Sequence, residues 1–104
     1  MEKSFWVSIQ KNDYTIPAGH SVLPLTDELF SYIGSTDAEL RDTIGLEVFY
    51  NWLIQGLYSH DYLRDLITRL MSNLQSGLGE TESDTVFLRS FSALWLQKTR
   101  GFSL

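Results

Sequence analysis

Apolar residues recur along this chain at helical spacing, and the breaks between them fall at residues that start or stop helices. Phe5, Trp6 and Ile9 share one face of a short N-terminal helix that should fade at Asn12-Asp13. Residues 12–24 contain both prolines, Pro17 and Pro24, together with Gly19, and read as an ordered loop. Leu25, Leu29, Phe30 and Ile33 mark a second helix, which Gly34 should end in the left-handed conformation. Thr36 and Glu39 have the spacing of a capping box for a third helix. Its apolar positions, Leu40, Ile44, Val48 and Trp52 with Leu46, Phe49 and Leu53 beside them, cover more than one stripe before Gly56. This helix should therefore be central and packed on two sides.

Ser59 can cap a fourth helix, in which Leu63, Leu66, Ile67, Leu70, Met71 and Leu74 define one buried face. Gly77 and Gly79 should terminate it, and its outer face, with Asp61, Arg64, Asp65 and Arg69, reads as solvated apart from a weak Asp65–Arg69 pair. Thr81, Glu82, Ser83 and Asp84 supply caps and negative charge for a fifth helix with the stripe Phe87, Leu88, Phe91, Leu94 and Trp95. No segment alternates with period two between turn signals, so the predicted fold class is all-α, with about five helices and no sheet.

The third and fifth helices begin alike, with Ser35-Thr36-Asp37-Ala38-Glu39-Leu40-Arg41 matching Ser83-Asp84-Thr85-Val86-Phe87-Leu88-Arg89. At that constant offset Leu40 falls on Leu88, Arg41 on Arg89, Gly45 on Ala93, Leu46 on Leu94 and Val48 on Leu96. The period lies in the range of two-helix solenoid repeats and predicts HEAT-like antiparallel helix pairs, as a short α-solenoid or bundle.

Composition narrows the function classes. A chain of 104 residues, 43% of them hydrophobic, is the size of one helical domain spanning 1–104 and can bury a core. With no cysteine, disulfides, thiolate metal sites and a cysteine nucleophile are closed. The net charge of −5 gives no basis for gripping a phosphate backbone, so nucleic acid is not an expected partner. No apolar run reaches a membrane span and the N-terminus does not resemble a secretory signal, so a cytoplasmic protein with no membrane partner is expected.

These blocks together resemble the bacterial domain-of-unknown-function family 2785, a helical group of HEAT-like architecture whose name carries no function. The resemblance rests on Asn12-Asp13-Tyr14 with Ile16-Pro17 and Gly19-His20-Ser21, on Gly34-Ser35-Thr36-Asp37 with Glu39-Leu40-Arg41-Asp42, and on Gly56-Leu57-Tyr58-Ser59. It rests also on Gly77-Leu78-Gly79-Glu80 and on the run from Asp84 to Ser92. Members continue past that last block into further helices, so the resemblance implies either the N-terminal part of a longer helical protein or a short natural member of the group.

Candidate chemistry is sparse. Arg41 and Arg89 are the best repeated polar feature, and each is read as bridging a carboxylate such as Asp37 or Asp84 to fix the register of stacked helices, with ligand binding as the alternative. His20, in the proline and glycine loop beside Tyr14, has the acid–base chemistry for a hydrolytic or small-ligand site, against a simpler loop-stabilising role. His60 reads as an exposed first-turn residue. Glu80, Glu82 and Asp84 lack the EF-hand pattern, and Ser90 and Ser92 lack a nucleophile elbow. No catalytic residue, metal or cofactor is expected. Trp6, Trp52 and Trp95 read as core. The reading that follows is a non-enzymatic module that binds a protein partner or a second copy of itself, with Tyr14, His20, Arg41 and Arg89 as its candidate site residues.

Overall fold

The computed structural model describes residues 1–75 and 84–101, with side chains in the last helix from residue 88 onward. Within them the chain is all-α. Helix α1 (Lys3–Lys11) is followed by α2 (Val22–Ser31), then by a π-helical segment (Glu39–Leu46) that runs directly into α3 (Glu47–Ile54), then by α4 (His60–Gln75) and α5 (Asp84–Arg100). No strand occurs among the described residues. The expected stops at Gly77 and Gly79, the caps at Thr81, Glu82 and Ser83, Glu80, and the side chains of Asp84 and Phe87 lie outside the described residues.

Contacts between helices give the directions in which they pack. Arg41 lies over the Phe91 ring, Phe49 stacks on Trp95, and Lys98 lies over Tyr50. The partners ascend together, so the π segment with α3 runs parallel to α5, and in nearly the register of the sequence alignment. On the opposite flank, Lys3 pairs with Asp37 and Glu39, Gln10 donates to the Thr43 carbonyl, and Tyr14 donates to Glu47. Helix α1 is therefore also parallel to α3, which is flanked on two sides as its double stripe requires. A second layer is formed by α2 and α4. Tyr58 donates to the Thr26 hydroxyl, Tyr62 donates to Asp27, and Arg69 covers the Phe30 ring. The core between the layers contains Trp6, Trp52 and Trp95, all fully buried, with Leu29, Ile44, Phe49, Leu66 and Leu70.

Helix ends show which local signals held. Gly56 (φ 73) follows α3, with its N–H on the Leu53 carbonyl and the Leu57 N–H on the Trp52 carbonyl, the paired bonds of a Schellman stop. Ser59 accepts the Tyr62 N–H and caps α4, and His60 is exposed in its first turn. The capping box does not form as the spacing suggests. It is Asp37, not Thr36, whose carboxylate accepts the amides of Glu39 and Leu40. A carboxylate one position later reaches both free amides and also meets Lys3.

Four further expectations are corrected. Pro24 lies in the first turn of α2 rather than in the loop, where its missing N–H is one that no helix satisfies internally. Gly34 does not have a positive φ. Its small size matters instead, because a Cβ there would lie 3.3 Å from that of Leu88 on α5. Met71 and Leu94 are exposed, at 44% and 36%, while Ser92 and Thr99 occupy the buried face of α5. Arg69 does not stay in solvent on α4; it crosses to Asp27 at 3.0 Å, closer than its 3.9 Å approach to Asp65.

Asp37 predicts a pH response. The hydrogen bond from Lys3, helped by the two helix amides, holds its carboxyl below the ordinary aspartate value. A depressed value stabilises the fold at pH above the unfolded pKa, and that contribution is lost as pH falls through the folded one. Urea midpoints of the parent and the Asp37→Asn variant should differ at pH 7 and draw together as pH falls through the ordinary aspartate value and then the depressed folded one.

Candidate interaction surface

Tyr14 ends the turn after α1 in an unusual backbone state. Both Asp13 (φ 56) and Tyr14 (φ 62) are left-handed, which is uncommon outside glycine and costs about 1–2 kcal/mol per residue. The turn is held by what it delivers. The Tyr14 carbonyl accepts the buried Trp52 indole N–H at 2.7 Å, the Tyr14 N–H bonds to Ile9, and the phenol reaches Glu47 at 3.3 Å. Partial burial, with the Glu47 carboxylate beside it, raises the Tyr14 pKa. Tyr14 thus acts as a clamp between α1 and α3.

His20 is exposed, with its ring 5.1 Å from that of Phe5 and its amide on the Pro17 carbonyl. Among the described residues its imidazole has no side-chain hydrogen bond. A nearby open cleft of about 510 Å³ is lined by Ser8, Lys11, Asn12, Asp13 and Thr15 among others, but not by His20.

Arg41 does not pair with Asp37, which Lys3 occupies. Its guanidinium donates to the Ser35 carbonyl at 3.1 Å and covers the Phe91 ring at 4.8 Å. The arginine therefore contacts the second aligned helix through an aromatic face, and the other carboxylate expected for it, Asp84, lies outside the described residues. Arg89 is half-buried on α5, two residues before Phe91. No hydrogen bond or ring contact joins any two of Tyr14, His20, Arg41 and Arg89 among the described residues. No group of three or more acidic or imidazole side chains could hold a metal ion there. No described helix is long and apolar enough to cross a membrane.

The feature that stands out lies elsewhere, along the outward seam between α3 and α5. Tyr50 and Ile54, one helical turn apart on α3, are 37% and 53% exposed, and Leu94 faces solvent one turn before Lys98 on α5. Lys98 lies 4.9 Å over the Tyr50 ring and ties the two edges together. Exposed apolar side chains that gather on one face, unlike scattered ones, mark interaction sites. Tyr50 and Ile54 fall off the main α3 stripe in the sequence, and that offset is the signal that could have singled them out. Leu94 gave no such signal, because it continues the expected α5 stripe.

Comparison of the chain with protein-family models, with curated proteins and with solved structures finds no match in any of the three.

In the second layer, Tyr58 and Tyr62 carry another pH response. Burial, and for Tyr62 also the Asp27 carboxylate, raises both phenol pKa values well above the ordinary tyrosine value. The unfolded chain then loses these protons first, so their contribution is complete below about pH 10 and drains away as pH rises beyond it. The Tyr58→Phe variant should unfold less steeply with alkali while losing about 1 kcal/mol at pH 7, where the Thr26 hydroxyl loses its donor. Urea unfolding at a series of pH values checks both.

Proposed function

We propose that this chain is a non-enzymatic helical interaction module of HEAT-like architecture, which binds a protein through the outward seam of α3 and α5. The observation that carries the reading is the exposed Tyr50–Ile54–Leu94 ridge, set where two aligned helices pack in parallel. Two-helix repeats that stack in this way present extended surfaces to partners. Membership of family 2785 is proposed on the residue blocks alone, as are a cytoplasmic location and a place at the N-terminal end of a longer helical protein. The alternative of a hydrolytic or small-ligand site at His20 has less behind it, since the imidazole is exposed and outside the neighbouring cleft.

A photo-crosslinking side chain placed at position 54 or 94 tests the proposal, with position 64 on the outer face of α4 as the control. Discrete protein adducts in a native lysate from 54 and 94, but not from 64, are expected. Equal labelling at all three positions, or none at 54 and 94, would count against an interaction surface on this seam.

A further inference from the structure

We draw no further inference here: the strongest candidate, the exposed apolar seam of Tyr50, Ile54 and Leu94 between α3 and α5, carries nothing beyond the reading already given, because nothing in the structure shows what covers it.

Discussion

Trp95→Ala should cost about 3–5 kcal/mol of folding stability, the largest loss expected from any single truncation in this chain. Trp95 is fully buried on α5 and is the side chain on which both layers converge. Its ring stacks on Phe49 of α3 at 4.0 Å with the planes 4° apart, and meets the edge of Phe30 of α2 at 6.0 Å. Truncation removes a large apolar area, both aromatic contacts and the filler between three helices at once. A domain of this size has a total stability of about 5–15 kcal/mol, so much of the population could unfold. The indole N–H contributes nothing to this, because it is buried without a hydrogen-bond partner among the described residues. Trp95→Phe should therefore cost much less, about 1–2 kcal/mol, for lost volume alone. Urea titration followed by circular dichroism separates the two. If alanine and phenylalanine cost the same, the ring is not the link between the layers.

The second large effect has a sign opposite to helix propensity. Alanine is the better helix former by about 1 kcal/mol, yet Gly45→Ala should destabilise by about 1–3 kcal/mol. In the π register each turn is widened, and the Leu40 carbonyl comes to lie where a Gly45 side chain would start. A Cβ would sit 2.8 Å from that oxygen, 3.6 Å from the Tyr32 Cβ and 3.7 Å from the Leu29 carbonyl of the crossing helix. Backbone surrounds it and cannot step aside. Relief would require the segment to leave the π register, turning the residues before Gly45, Ile44 among them, by about 100° around the helix axis. Ile44 is fully buried, so that escape uncovers core. Ala93, the aligned counterpart, is exposed on α5 and already carries the methyl group without conflict. A Gly45→Ala variant with a raised urea midpoint would show that the segment is not held in the π register.

Much of this architecture could be read from the chain because each strong signal concerned a residue and its near neighbours. The α3 double stripe, the Gly56 stop and the Ser59 cap depend on four or five consecutive residues, and all three are found. What escaped depended on choices between local equivalents or on contacts made across the fold. Ser35, Thr36 and Asp37 can all cap a helix, and Lys3, more than thirty residues away, helps Asp37 win. Pro24 fits a loop and a first helical turn equally well. Nothing in the spacing announces a π segment, because its apolar positions read the same in either register until Gly45 is seen against the Leu40 carbonyl. On α5, Leu94 looked like core and Ser92 did not, since the stripe alone does not say which edge of it meets α3. For the candidate site, Arg41 reaches across the aligned helices to the Phe91 face, a contact the spacing did not suggest, and of the two carboxylates expected for it Asp37 is taken by Lys3 while the Asp84 side chain lies outside the described residues. The exposed seam was missed because exposure arises only after the layers close.

The parallel, side-by-side packing of the two aligned helices is tested most directly by an engineered crosslink. The native chain has no cysteine, so Gly34→Cys combined with Leu88→Cys introduces the only two thiols. A Cβ at position 34 would lie 3.3 Å from that of Leu88, close to the separation a disulfide spans. Under mild oxidation in native buffer, the double variant should form an intramolecular disulfide quantitatively and unfold at a higher urea concentration than its reduced form. Free thiols, or disulfides only between molecules, in a protein that retains its helical spectrum would contradict the packing from which the seam and its proposed partner follow.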